Sequence, residues 1–138
     1  MKFLLDTNVI SEIVKPNGNK NVLSLLEKVN WEDVYLSSFT IGELSYGIER
    51  LPSGKRKHEL SIWVYMKLPL SFKDRILPHN SDVFIEWGRI RANAVRTFPY
   101  DDMLLAAVAI FHDMTLVTRN IYDFEGIEGI KLLNPWEE

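Results

Sequence analysis

Cysteine is missing from all 138 residues, which excludes disulfides, thiolate zinc centres and cysteine nucleophiles together. Long apolar runs are missing too, since none approaches the ~20 residues that a membrane-spanning helix needs. The opening MKFLLDTN has one lysine and reaches an aspartate too soon for the apolar region of a signal peptide. The three histidines, His58, His79 and His112, are scattered, and none is spaced with another as a metal pair. Nor is there an excess of positive charge: 16 basic and 19 acidic side chains leave a net charge of −3. That balance speaks against a non-specific nucleic-acid binder. It leaves room for a nuclease whose positive field comes from bound cations and a local basic patch. Together these absences lead to the expectation of a cytoplasmic protein that does not engage a membrane.

What is present reads as one domain spanning residues 1–138, long enough to bury a core, with 46% hydrophobic and 25% charged residues. Short apolar stretches predict strands at Lys2–Leu5, Asp33–Ser37, Arg75–Leu77, Thr115–Thr118 and Ile130–Leu133. Helical patterns lie between them at Val9–Lys15, Asn21–Val29, Ile41–Arg50, Lys57–Lys67, Ser81–Thr97 and Asp102–His112. Strands alternating with helices imply βαβ units, hence an α/β fold with a mostly parallel five-stranded sheet covered on both faces. The unbroken hydrophobicity of FLL and TLV suits strands buried on both sides.

In such a sheet, ligands bind beyond the carboxyl ends of the strands, and that is where the acids fall. Asp6 ends the first strand, Glu43 follows the second, Asp101 and Asp102 open the helix leading into the fourth, and Asp123 comes just after the fourth. Each has a structural explanation when taken singly. Asp6 suits a helix cap or Asx turn. Thr40-x-x-Glu43 matches a capping box, Asp101 or Asp102 an N-cap, and Asp123 a turn. None of these roles requires the acids to converge. Converging carboxylates repel one another and raise each other's pKa unless a cation lies between them. An all-oxygen donor set suits Mg²⁺ or Mn²⁺, which can activate a water against a phosphodiester. Thr7, Asn8, Thr118 and Asn120 are placed to orient the carboxylates from behind.

Four motifs in order carry a family resemblance: LLDTNVIS, the SxxTxxEL of Ser37 to Leu44, the DMLLAA of Asp102 to Ala107, and TLVTRNxxDF of Thr115 to Phe124. Together they resemble the PIN domain, and their order resembles the VapC-type and FitB-like toxins of type II toxin–antitoxin pairs over essentially the whole chain. The resemblance implies a three-layer α/β/α fold and Mg²⁺- or Mn²⁺-dependent endoribonuclease activity. It also implies a homodimer inhibited by a cognate antitoxin of the VapB or FitA kind, often DNA-binding. By similarity, Asp6, Glu43 and Asp102 take the three principal acidic positions. The fourth falls on Asp123, with Asn120 as the other choice, and Asp101 is left as the helix cap.

Lys55, Arg56 and Lys57 in GKRKHE read as a solvated loop entering a helix, or as contacts to RNA phosphates or an acidic partner face. Arg119, whose guanidinium is suited to phosphate, is a candidate substrate contact or the partner of a nearby carboxylate. Arg89 and Arg96 are seven apart and would share a helical face, with Arg91 offset; they are either a solvated face or a steering one. The helix carrying Leu60, Trp63, Val64, Tyr65 and Met66 is apolar nearly all round. It is expected either between layers or at a dimer or antitoxin surface. Two other readings stay open. A phosphoryl transfer through an aspartyl phosphate would need a second aspartate where Asn8 stands. A non-catalytic PIN-fold partner of a DNA-binding antitoxin would not need its acids to hold metal.

Overall fold

The computed structural model describes residues 1–137; Glu138, the last residue of the expected 1–138 domain, lies outside the described residues. β1 (Phe3–Leu5) leads into α1 (Thr7–Val14) and α2 (Lys20–Lys28). β2 (Val34–Ser37) leads into α3 (Ser38–Glu49), α4 (Lys55–Ile62) and α5 (Leu68–Phe72). β3 (Ile76–Leu77) is followed by α6 (Ser81–Ala92) and α7 (Tyr100–Phe111), and β4 (Thr115–Val117) and β5 (Lys131–Leu133) complete the sheet. All pairings are parallel, in the order β3-β2-β1-β4-β5, with Leu5 opposite Val117 at the centre. This is the five-stranded, three-layer α/β architecture that the alternation of strands and helices predicts.

Successive strand residues point to opposite faces, and both faces are dry. Leu4 and Leu116 pack with Val83 and Ile90 of α6 and with Leu105 and Val108 of α7. Leu5, Val34, Leu36 and Val117 pack on the other side with Val9 and Ile10 of α1, Val22 of α2, and Val64 and Phe72. α7 is buried continuously from Met103 to Ala109. Three alanines among those seven residues let it lie close between the sheet and α6.

Several boundaries differ from expectation, each for a local reason. The helix expected over Ser81–Thr97 stops at Ala92, because Asn93 caps it: its Nδ2 donates to the Arg89 carbonyl at 2.9 Å. Arg96 therefore lies in the following loop and shares no helical face with Arg89. The helix expected over Lys57–Lys67 starts at Lys55 and widens into a π turn at Trp63–Lys67 before α5. Pro69 has no N–H for the Tyr65 carbonyl, and a wider turn accommodates that loss. Along this segment Val64, Leu68 and Phe72 are buried while Tyr65, Met66 and Leu70 face solvent, so it is half core and half surface. Among the described residues, no helix is long and apolar enough to cross a membrane.

Because Leu116 is fully buried on the central strand pair, Leu116→Ala is expected to destabilise the protein by about 2–5 kcal/mol. Urea unfolding followed by circular dichroism checks this, with the exposed Val95→Ala as the silent control.

Candidate active site

The site is built on the β1–β4 pair. The Asp6 amide donates to the Val117 carbonyl at 2.9 Å, which extends the ladder one residue past each strand. Asp6 is thereby set beside Thr118. Thr118, fully buried, donates its Oγ1 hydrogen to Asp6 Oδ2 at 2.7 Å. Asp6 Oδ1 accepts from the Thr7 amide at 2.7 Å, making Asp6 the N-cap of α1. Asn8 Nδ2 reaches Asp6 Oδ2 at 3.5 Å, while Asn8 Oδ1 accepts from the Arg119 amide at 3.4 Å. The Thr118 hydroxyl in turn accepts from the Asn120 amide at 3.1 Å. The cap role of Asp6 is therefore observed, and it leaves room for a second role, since the cap uses Oδ1 while Oδ2 faces Thr118.

Glu43 arrives from the neighbouring strand. α3 begins at Ser38, three residues earlier than expected, with Ser37 Oγ accepting from the Phe39 amide as its cap. The capping-box alternative is therefore absent. Thr40 is buried with its hydroxyl unpartnered, and Glu43 Oε1 instead accepts from Thr7 Oγ1 at 2.6 Å. α7 begins at Tyr100 with Pro99 at its N-cap. Asp101 and Asp102 thus occupy its first turn, where the helix dipole favours acids. The expectation that Asp101 caps the helix does not hold, because Pro99 already fills that position and Asp101 Oδ1 accepts from the Asp102 amide at 3.2 Å. Asp123 sits in a 3-10 turn, Ile121–Asp123, whose N-cap is Asn120.

The charges bear on one another. Burial raises the Asp6 pKa, opposed by the Thr118 and Thr7 hydrogen bonds and reinforced by Asp123 and Asp101. Burial also raises that of Glu43, the Thr7 bond opposing and Asp6 and Asp101 reinforcing. Asp102 is pushed up to about 6, first by burial and then by Asp101, Asp123, Asp6 and Glu43, with no hydrogen bond to offset them. Among the described residues, no three of these groups stand at a common distance ready to grip an ion. The chemistry of the set nevertheless fits a hard cation: every donor is a carboxylate oxygen, and their repulsion is what a divalent charge relieves.

The basic residues divide. Arg56 lines a groove of about 360 Å³ with Thr7, Glu43, Leu60 and Trp63. Lys55 lies 3.9 Å from Glu59, and Lys57 Nζ lies 3.5 Å from the Glu49 carbonyl. The Arg119 guanidinium stacks 5.2 Å from the Trp136 ring, and its charge bears on Glu12. His79 shares a 2.6 Å hydrogen bond with buried Ser37 between the rings of Phe39 and Phe84, so it braces the end of β2. Sequence reasoning placed none of this bracing; the only sign of it was a histidine following β3.

A five-stranded parallel sheet in this order, covered by helices on both faces, is an α/β fold of the PIN class. The family model for the PIN domain matches residues 3–128, and the chain belongs to that family. It is 36% identical over 138 residues to Toxin FitB of Neisseria gonorrhoeae, covering 98% of this chain and 99% of that one. It is 31% identical over 137 residues to VapC ribonuclease Y4jK of Sinorhizobium fredii, covering 97% of each. Among solved structures, FitAB bound to an IR36 DNA fragment superposes with a TM-score of 0.92 at 35% identity, over 99% of this chain and 96% of that one.

The raised pKa of Asp102 gives a signed prediction. The folded state holds its proton to about pH 6, whereas the unfolded chain releases it near the ordinary aspartate value of 3.8. Stability in chelator therefore falls as pH rises through that window. Asp102→Asn is expected to raise the melting temperature above pH 6 and to have no such effect below pH 4, as read by thermal melts across pH in chelating buffer.

Proposed function

We propose that the chain is an endoribonuclease toxin of a toxin–antitoxin pair, hydrolysing RNA phosphodiesters with Mg²⁺ or Mn²⁺ at the carboxyl edge of the sheet. The observation that carries this reading is the shared upward shift of the Asp6, Glu43 and Asp102 carboxyls, three acids from separate elements raised first by burial and then by neighbouring acids. The ribonuclease name of the Sinorhizobium relative supports it. Asp6, Glu43, Asp102 and Asp123 would hold the cation, with Asn120 beside them. When bound, the cation acidifies water and neutralises charge on the phosphoryl oxygens.

The chain's own contribution is placement. Thr118 and the Thr7 amide fix the Asp6 carboxylate and oppose the effect of its burial, and Thr7 Oγ1 turns the Glu43 carboxylate toward the same edge. The starts of α1, α3 and α7 all open on that edge, and their dipoles favour a phosphate approaching it. Arg56 is the member of the GKRKHE run that lines the groove reaching Glu43, and with Lys55, Lys57 and Arg119 it is proposed to contact substrate. A DNA-binding antitoxin of the FitA or VapB kind is the proposed partner, with a homodimer as the working assembly and the cytoplasm as its place.

A second reading has an observation of its own: the FitAB complex at a TM-score of 0.92 is bound to DNA. A PIN-fold subunit acting only with its antitoxin in transcriptional regulation would keep the fold and the partner without chemistry.

Cleavage of a mixed RNA pool by the purified chain, freed of any antitoxin, tests the first reading. Activity is expected to vanish in chelator and to return with Mg²⁺ or Mn²⁺. Thr118→Val is expected to lower it by about 10–100-fold, and Asp6→Asn by more than about 100-fold, since it removes a ligand and not its support. Cleavage indifferent to both chelator and Asp6→Asn would move the chemistry elsewhere. RNA left intact by folded protein under every condition would favour the second reading.

A further inference from the structure

Between the end of α6 and the start of α7 lies a cleft of about 520 Å³, lined by Trp87, Arg91, Val95, Arg96, Phe98 and Tyr100. Its rings form a series. Phe84 meets Trp87 edge-on with centroids 6.2 Å apart, and Trp87 meets Tyr100 at 5.1 Å and 58°. Arg91 holds its guanidinium 5.2 Å from the Trp87 centroid, and Arg96 holds its own 3.9 Å from that of Phe98. Tyr100 is 59% exposed and Val95 79%, so the wall is open to solvent.

The cleft shares its walls with the acid edge. Tyr100 is the first residue of α7, two before Asp102. Arg96 donates to the carbonyls of Tyr122 at 2.9 Å and Glu125 at 3.2 Å, clasping the loop that carries Asp123. Gly126 fits the same wall, with φ of +95° and room for no more than a tight contact to Val95. One side of the cleft thus leads to Asp102 and the other to Asp123.

We propose that this cleft binds the single-stranded RNA nucleotides next to the scissile phosphate, with a base stacked on Tyr100 against Trp87 and a phosphate on Arg91. The inference rests on the nuclease reading and adds to it the surface along which the strand runs. Exposed rings interleaved with guanidinium groups match unpaired nucleotides, since every base offers a π face and arginine both stacks and grips phosphate. A protein partner would find a more exposed apolar side chain at Ile85 on α6, and the cleft offers it two guanidinium groups to desolvate. Arg89, by contrast, is engaged by Glu86 on its own helix and stays out of the cleft.

The test separates binding from cutting. An end-labelled, mixed-sequence single-stranded RNA of about 12 nucleotides is titrated with the Asp6→Asn protein in magnesium, and anisotropy is followed. Tyr100→Ala and Arg91→Ala, both at exposed positions, are expected to weaken binding about tenfold or more, whereas Tyr100→Phe retains it. In the protein with Asp6 intact, the two alanine variants are expected to raise KM while kcat at saturating RNA is kept. Wild-type cleavage that both alanine variants reproduce with unchanged KM would overturn the cleft and leave the nuclease standing. Loss of self-association in sedimentation, with RNA affinity unchanged, would also overturn it and make the face a protein contact. RNA held through Tyr100 and Arg91 but never cut would support the cleft while the nuclease reading fails.

Discussion

The bond from Thr118 to Asp6 is the constraint on which the rest of the site depends. It exists because β1 and β4 pair in register, so that Leu5 faces Val117 and the next residue on each strand comes alongside. A carboxylate at the end of a central strand is costly, and burial pushes its pKa up. Two short hydrogen bonds, from Thr118 and the Thr7 amide, oppose that cost and hold both oxygens in place. Thr7 then carries the order outward, its amide on Asp6 and its hydroxyl on Glu43. Two strands and two helices are tied together through one three-residue stretch.

The price of this arrangement is concentrated charge. Asp6, Glu43 and Asp102 are all displaced in the same direction, and Asp101 and Asp123 add to the pressure from the exposed side. A fold seeking stability alone would replace one of them with an amide. The cluster therefore costs stability at neutral pH, the pattern expected of the cation site proposed above. The surrounding scaffold supports it: α7 is buried along seven consecutive residues, and both faces of the sheet are dry.

Much of this was legible in the residues. The runs FLL, VYLS and TLV carry the strand signal because they are buried on both faces; Asp6 follows the first directly, whereas Glu43 and Asp123 come well after the other two. The ring of short hydrogen bonds was anticipated only in kind: Thr7 and Thr118 were placed behind the acids without partners assigned. Helix ends were read less well. Asn93 and Pro99 outrank periodicity at the two ends of the loop between α6 and α7, which moved Arg96 off the helix and Asp101 off the cap. Glu43 could serve Thr40-x-x-Glu43 as a cap on paper; with Ser37 at that position the glutamate was released to Thr7.

The sequence by itself determined the secondary elements, the parallel α/β class and the strand ends at which acids occur. Those follow from local hydrophobic period and from turn chemistry, both of which act within a few residues. Only the tertiary structure decided which acids feel each other, that Arg119 turns to Trp136 while Arg56 lines the groove beside Glu43, and that Trp87, Arg91 and Tyr100 share a cleft. These depend on strand order and on the packing of α6 against α7. Sequence separation says nothing of such contacts, because they are set by which layers the hydrophobic core brings together.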